Sequence, residues 1–111
     1  MPLQTIIGID LGGTRTKAIA IRDENIACLV CIPSSDPIAS ASGALGKIIH
    51  TLNIDLSSIS GIAVTGGGSK QIRNTLLGIP TSKVDEILSI GLGGSTLSGK
   101  NRAVVVSVGT G

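Results

Sequence analysis

A strand, a glycine turn and a second strand open this chain, and they constrain its fold more than any other segment. The segment over residues 3–7, Leu-Gln-Thr-Ile-Ile, predicts a buried strand that ends close to Asp10. Gly12 and Gly13 then favour a tight turn. Residues 17–21 alternate in character and are rich in β-branched side chains, which is typical of a strand and not of a helix. We therefore predict a β-hairpin whose loop lies between a carboxylate and a lysine.

The loop of this hairpin has the chemistry of a phosphate site. Glycine lets the backbone approach phosphate oxygens, and consecutive N–H groups form an anion-binding nest. Asp10 would face Mg²⁺ or its waters, because magnesium keeps most of its water shell. The spacing matches neither a P-loop nor a dinucleotide fingerprint, and an ordinary Gly-Gly hairpin turn is the alternative. The candidate phosphate contacts are Gly12, Gly13, Thr14, Thr16 and Lys17.

The composition limits the partners that the protein can have. The 111 residues include no Phe, Tyr or Trp, so Ile, Leu, Val and Ala must build the core and no ring can stack on single-stranded nucleic acid. The net charge is only +2 and the basic residues are scattered, without a basic patch. No apolar stretch approaches the roughly 20 residues of a membrane span, and no secretory signal is apparent. We expect a cytoplasmic protein that binds neither nucleic acid nor membranes.

The two cysteines form a Cys-x-x-C pair, Cys28 and Cys31, within the apolar run 26–32. This run is predicted to be a strand, and residues three apart on a strand point to opposite faces. A shared metal site or a disulfide between them is therefore disfavoured. We predict two reduced core cysteines, as is usual in the cytoplasm.

The predicted elements follow the order β-β-β-α-β-α-β-α, with one more strand after them. Strands are predicted over about residues 3–9, 17–22, 26–32, 62–64, 81–84 and 103–108. Helices are predicted over about residues 37–53, 69–77 and 86–97. Asp36 would cap the first helix, and Gly43 and Gly46 would weaken it by about 1 kcal/mol each while letting it lie close to the sheet. An antiparallel meander followed by crossover helices predicts an α/β fold with a mixed five-stranded sheet over residues 1–84.

The opening hairpin resembles the phosphate-1 loop of the sugar kinase, hsp70 and actin superfamily. This resemblance implies an actin-like ATPase (ribonuclease H-like) domain over residues 1–101. Residues 106–111, Val-Ser-Val-Gly-Thr-Gly, repeat the pattern of a strand running into a glycine turn. They resemble the start of the second domain of that superfamily, so residues 102–111 are expected to be the first strand and phosphate loop of a truncated second domain. A glycine-rich chain end is the alternative.

Two middle blocks narrow the resemblance to one family. Thr65-Gly66-Gly67-Gly68 and Val84-Asp85-Glu86, between the two glycine turns, make the chain similar to the type II (eukaryotic-type, Fumble-like) pantothenate kinases over its whole length. The resemblance implies ATP-dependent phosphorylation of pantothenate, the first step of coenzyme A biosynthesis, with ATP and Mg²⁺ as cofactors. It assigns Glu86 as the catalytic base. It also places Asp10 at the magnesium ion and adds the phosphate contacts Gly109, Thr110 and Gly111.

Other functions remain open at this point. Within the superfamily, the alternatives are an N-acetylglucosamine-type sugar kinase and the ATPase activator of 2-hydroxyacyl-CoA dehydratases. A third alternative is a non-catalytic truncated domain that binds nucleotide or a partner weakly, or does neither. The 111 residues supply one wall of a two-domain cleft, so we expect no turnover from them alone. The valine-rich segment 104–108, Val-Val-Val-Ser-Val, is suited to burial on both faces. We expect it to pack on a neighbouring chain or to be poorly ordered, and a homodimer is the expected assembly.

Overall fold

The computed structural model describes residues 4–85, so the predicted helix over 86–97 and the predicted strand over 103–108 lie outside it. The described part holds six strands and one α-helix. These are β1 (Thr5–Leu11), β2 (Arg15–Arg22), β3 (Asn25–Pro33), α1 (Pro37–Leu52), β4 (Ile59–Thr65), β5 (Thr75–Leu76) and β6 (Ile79–Lys83). Short 3-10 turns over Leu56–Ser58 and Gly67–Gln71 lie on either side of β4.

The strands form one mixed sheet in the order β3-β2-β1-β4-β6-β5. The first three strands are antiparallel neighbours, whereas β1 pairs with β4, and β4 with β6, in parallel. The predicted α/β class and mixed sheet are confirmed. The described sheet has six strands where five were predicted, because the two-residue strand β5 adds an antiparallel edge to β6.

The opening hairpin is confirmed, with β1 and β2 joined by the loop Gly12–Thr14. Lys17 lies inside β2, directly opposite Asp10 of β1. The second strand begins at Arg15, two residues earlier than predicted. The second hairpin turns at Asp23 and Glu24, which both have positive φ angles, as in the type I′ turns that suit the twist of two antiparallel strands.

Helix α1 begins where the sequence predicts and packs on one face of the sheet. The Asp36 carboxylate accepts a hydrogen bond from the backbone N–H of Ala39 at 3.0 Å, so it caps the helix. Ala41, Ala44 and Ile48 are fully buried on the side that packs on the sheet. Within residues 4–85, no helix has the length and apolar character needed to span a membrane.

The two glycines of α1 do not bring the helix close to the sheet, and that expectation was wrong. Gly43 and Gly46 are exposed, and the small side chains at the sheet are alanines. An added Cβ at Gly46 would have no heavy-atom neighbour within 4 Å, and at Gly43 only an ordinary contact with Ile32. Both glycines therefore weaken the helix without a packing reason.

Gly46→Ala is accordingly expected to raise the free energy of unfolding by about 0.5–1 kcal/mol, the difference in helix propensity between the two residues. Urea unfolding followed by circular dichroism measures this change. Gly43→Ala serves as the companion variant and should give a similar gain. A loss of stability in both variants would mean that this face of α1 is covered in the intact protein.

The predicted helix over residues 69–77 is wrong. A 3-10 turn over Gly67–Gln71 ends by Ile72, and β5 and β6 then form a hairpin. Leu77 and Gly78 have φ angles of 49° and 82°, so the Leu-Gly pair makes a type I′ turn where the sequence suggested a helix stop. An isolated helix of about nine residues that starts in a glycine run is marginal in water, and burial of Ile72 and Leu76 decides the outcome instead.

The two faces of the sheet differ sharply. Ile7, Ile9 and Val64 are buried on the face beneath α1. The opposite face, which we call the open face, carries partly exposed apolar side chains, with Ile6 52% and Leu29 70% exposed. No helix among residues 4–85 covers the open face.

The cysteines point to opposite faces of β3, as predicted, and both are free. Cys28 packs against the core, whereas Cys31 is exposed on the open face with its Sγ 3.8 Å from Nη1 of Arg15. The prediction of two core cysteines is therefore correct for Cys28 only. The reason is that β3 is an edge strand with one face toward α1 and the other toward solvent.

Candidate functional site

Three polar residues form a row across the open face of the sheet, at the end where β1 enters the glycine loop. In the strand register Asp10 of β1 is paired with Lys17 of β2 on one side and with Thr65 of β4 on the other. Side chains paired in this way share a face and lie about 5 Å apart. All three line a concavity of about 670 Å³ whose other walls are mainly apolar. The sequence predicted that Asp10 and Lys17 lie together. It did not predict that Thr65 belongs to the site, because this follows only from the register between β1 and β4.

The Asp10 carboxylate lies at the floor of this row beneath the backbone of Gly66. A Cβ on Gly66 would lie 2.6 Å from both Asp10 Oδ1 and the carbonyl oxygen of Leu11, so only glycine fits there. The Gly66 φ of 90° with ψ of 170° is a conformation open essentially to glycine alone. Asp10 Oδ1 is buried and has no hydrogen-bond partner among the described residues. A buried carboxylate oxygen in that condition is suited to a cation or an ordered water.

The loop beside the row presents backbone N–H groups to solvent. Gly13 and Thr14 are exposed, and their N–H groups donate no hydrogen bond to any residue of the described part. Gly12 is required by the turn itself, because a Cβ there would lie 2.7 Å from the carbonyl oxygen of Arg15. The exposed loop and the exposed Lys17 ammonium together make this end of the sheet suited to an anion.

Thr16 lies on the opposite face from Asp10 and Lys17, fully buried. Its Oγ1 is 2.8 Å from Oγ of Ser34, which donates to the carbonyl oxygen of Gly12 at 2.7 Å. A serine hydroxyl has one proton, so Thr16 is the donor to Ser34. Thr16 therefore lies behind the loop. The predicted direct contact between Thr16 and phosphate stays a prediction.

Ser34 is the residue of this site that sequence reasoning missed. Besides the bond to Gly12, its backbone N–H donates to the carbonyl oxygen of Thr14 at 2.9 Å. Ser34 therefore holds the carbonyl groups at both ends of the loop. The only local signal was the polar segment Pro33-Ser34-Ser35 after β3, which reads as an ordinary link to the helix.

Ser34→Ala is expected to lower the free energy of unfolding by about 2 kcal/mol, because it removes one bond to Gly12 and leaves the buried Thr16 hydroxyl without an acceptor. It should also weaken the binding of inorganic phosphate at the loop, since the loop loses its brace. Chemical denaturation and calorimetric titration measure the two effects.

The matched control for this variant is Ser60→Ala. The Ser60 side chain is exposed and makes one long contact, 3.4 Å, to the carbonyl oxygen of Thr5. Its loss should change stability by less than about 0.5 kcal/mol. Equal effects of the two substitutions would show that Ser34 does not support the site.

Four of the predicted site residues lie outside the described residues, namely Glu86, Gly109, Thr110 and Gly111. Val84 lines the concavity, and its N–H donates to the carbonyl oxygen of Val64 at 2.8 Å.

A search by sequence finds one similar protein, an uncharacterised protein of Methanocaldococcus jannaschii. It is 36% identical over 62 residues, which are 56% of this chain and 15% of that protein. No protein-family model matches the chain. The sequence comparisons therefore establish a local similarity and no family.

Solved structures give a clearer result. The activator of the 2-hydroxyisocaproyl-CoA dehydratase from Clostridium difficile, solved with bound ADPNP, aligns with a TM-score of 0.69 at 22% identity, over 84% of this chain and 33% of its own. Component A of the (R)-2-hydroxyglutaryl-CoA dehydratase of Acidaminococcus fermentans gives 0.70 at 21%, over 85% and 35%. The ROK hexokinase of Thermus thermophilus gives 0.67 at 16%, over 85% and 38%.

The chain spans 33–38% of the length of each of these three solved structures. At such low identity the likeness concerns the fold, which proteins of different chemistry can share. Residues 4–85 therefore have an α/β fold that matches part of these structures, that of half of an actin-like ATPase domain.

Proposed function

We propose that this chain is the N-terminal part of an ATP-dependent kinase that phosphorylates pantothenate. The observation that carries the proposal is the row of Lys17 and Asp10 beside the exposed loop Gly12–Thr14. An ammonium group, a carboxylate and free N–H groups at one end of a sheet are what a magnesium-bound phosphate chain requires. The two middle sequence blocks, around Thr65 and Glu86, support pantothenate as the acceptor.

The phosphate chain of ATP would lie over the loop. The N–H groups of Gly13 and Thr14 are available to its oxygens, and the Lys17 ammonium neutralises part of its charge. Phosphoryl transfer asks the protein mainly for positioning and for neutralisation of charge. Gly109, Thr110 and Gly111 would supply a second loop from the facing domain.

Asp10 would hold the magnesium ion of the nucleotide. Its buried Oδ1, without a partner among residues 4–85, is an oxygen of the kind that Mg²⁺ prefers. Mg²⁺ keeps several of its waters and is usually bound through one or two carboxylates together with phosphate oxygens, so a single aspartate can suffice. The bound ion would neutralise charge that develops on the transferred phosphoryl group.

Glu86 would act on the acceptor. The pantothenate hydroxyl oxygen forms a bond to the γ-phosphorus, the bond from that phosphorus to the bridging oxygen of ADP breaks, and the hydroxyl proton passes to the Glu86 carboxylate. The resemblance carried by the block Val84-Asp85-Glu86 supports this assignment. A general base of this kind contributes about 10²–10⁴-fold to the rate.

A dehydratase-activating ATPase is the second candidate, because a dehydratase activator and a dehydratase component are among the structures that resemble this fold. That function would need cysteines beyond this segment to hold an iron–sulfur cluster. The kinase proposal is preferred because the two middle sequence blocks, around Thr65 and Glu86, resemble those of pantothenate kinases.

The test is an acceptor panel with the intact protein, ATP and Mg²⁺. Radiolabelled pantothenate, N-acetylglucosamine and glucose are offered separately, and phosphorylated product is separated by anion exchange. We expect phosphate transfer to pantothenate and slow hydrolysis of ATP without an acceptor. Transfer to a sugar would indicate a sugar kinase. ATP hydrolysis that needs no acceptor, with the visible absorption of an iron–sulfur cluster, would indicate an activator.

A further inference from the structure

Two buried side-chain oxygens lack a hydrogen-bond partner among the described residues, and they are neighbours. They are Asp10 Oδ1 and Thr65 Oγ1. Asp10 and Thr65 are paired in the parallel register of β1 and β4, so their side chains share the open face. Buried polar atoms in folded proteins are almost always paired, and each exception needs an explanation. Two exceptions side by side point to one ligand that serves both.

The surroundings limit what this ligand can be. Lys17 lies on the other side of Asp10 in the same row, where its ammonium is suited to the phosphate that accompanies the ligand. The next residues of the open face, Gly8, Ile19 and Ala63, also line the concavity and bring no further polar side-chain atom. A carboxylate and a hydroxyl are hard oxygen donors, which suit Mg²⁺ and not the softer metals. Two protein oxygens leave most coordination positions to water and phosphate, as Mg²⁺ requires.

Neighbouring elements hold Thr65 at this place. The ladder between β4 and β6 ends at the pair Val64 and Lys83, so Thr65 projects just past it. The Gly66 backbone then closes over Asp10, where a side chain would collide with Oδ1. The main chain on either side of Thr65 is therefore fixed before any ligand binds.

We propose that Thr65 is a binding residue for the hydrated magnesium ion that accompanies the nucleotide, holding it jointly with Asp10 through the Thr65 hydroxyl oxygen. This inference rests on the proposed function and deepens it, since it assigns the threonine of the Thr-Gly-Gly turn to the metal. The alternative is that the Thr65 hydroxyl only stabilises the fold. The two hypotheses predict different changes in melting temperature and in affinity for Mg²⁺–ADP when the hydroxyl is removed.

Thr16 provides the reference for a purely structural hydroxyl. Thr16 is also a buried strand threonine next to the loop, but its Oγ1 is bonded to Ser34 at 2.8 Å. Thr16→Val should lower the melting temperature by several degrees, because it breaks an existing bond. Thr65→Val removes an oxygen that has no bond to lose, so the melting temperature without ligand should be unchanged or higher.

The experiment measures the affinity of the intact protein for ADP with Mg²⁺, and for ADP in EDTA, by calorimetric titration. Thr65→Val is expected to weaken binding of Mg²⁺–ADP by about tenfold or more, the usual effect of losing a residue that supports a metal site. Binding of ADP in EDTA should not change. Thr65→Ser keeps the oxygen and should restore most of the affinity, and Thr75→Val, at an exposed strand position, should behave as wild type.

The possible failures can be told apart. Wild-type binding of Mg²⁺–ADP with equal binding by Thr65→Val would overturn the inference and leave the proposed function standing. A melting temperature that falls in Thr65→Val as it does in Thr16→Val would also overturn it, because the hydroxyl would then have a structural partner. Absence of any Mg²⁺-dependent binding in the wild type would refute both the inference and the proposed function.

Discussion

Replacement of Glu86 by glutamine is expected to lower kcat for pantothenate phosphorylation by about 10²–10⁴-fold in the complete kinase. Glutamine has the size of glutamate but cannot accept the proton of the attacking hydroxyl. Affinity for ATP should be kept, since Glu86 is proposed to act on the acceptor and not on the phosphate chain. Steady-state kinetics at saturating ATP, with a separate measurement of nucleotide binding, checks both parts.

The chain offers a matched control in Glu24, its only other glutamate. Glu24 is exposed in the turn between β2 and β3, away from the concavity, so Glu24→Gln should leave kcat unchanged. Asp10→Asn is the informative contrast, because it should raise the Mg²⁺ concentration needed for activity. Full turnover by Glu86→Gln would show that the base lies elsewhere and would remove the most specific support for pantothenate.

Substitution of Gly66 by alanine is expected to produce the largest loss of stability in the described part. The residue has a φ of 90° and a ψ of 170°, and a Cβ would lie 2.6 Å from two oxygen atoms of β1. A conformation open essentially to glycine costs about 1–3 kcal/mol for other residues, and the collision adds to this. A total of about 3 kcal/mol would lower the melting temperature by more than about 10 °C.

Gly66→Ala should also displace the Asp10 carboxylate and weaken binding of Mg²⁺–ADP more than binding of ADP in EDTA. Gly67→Ala is the control, since a Cβ there meets nothing within 4 Å and the residue has no positive φ. Differential scanning calorimetry and titration of the two variants make the comparison. Similar melting temperatures for both would mean that β1 and the Gly66 turn do not pack as described.

Local patterns in the sequence predicted the elements whose causes are local. Alternation along residues 17–21 and the two glycines before them indicated the first hairpin, and Asp36 followed by Pro37 indicated the start of α1. The same reasoning failed at residues 69–77. There, Ile72 and Leu76 lie four residues apart, a spacing that suits a helix. This spacing does not reveal the turn at Leu77 and Gly78 or the pairing of β5 with β6.

Asp10 and Lys17 were predictable as a pair because a short hairpin loop sets the register between them. Thr65 and Ser34 were not, although both complete the site. Thr65 meets Asp10 only through the parallel pairing of β1 with β4, and that register depends on placing Ile7 and Ile9 beside Ile62 and Val64 beneath α1. Ser34 reaches Gly12 only because β3 returns antiparallel along β2. The sequence by itself determined the strands, the loop and the helix start, since these depend on neighbours in the chain. Tertiary structure alone decided which oxygens meet at Asp10, since that depends on burying a shared core.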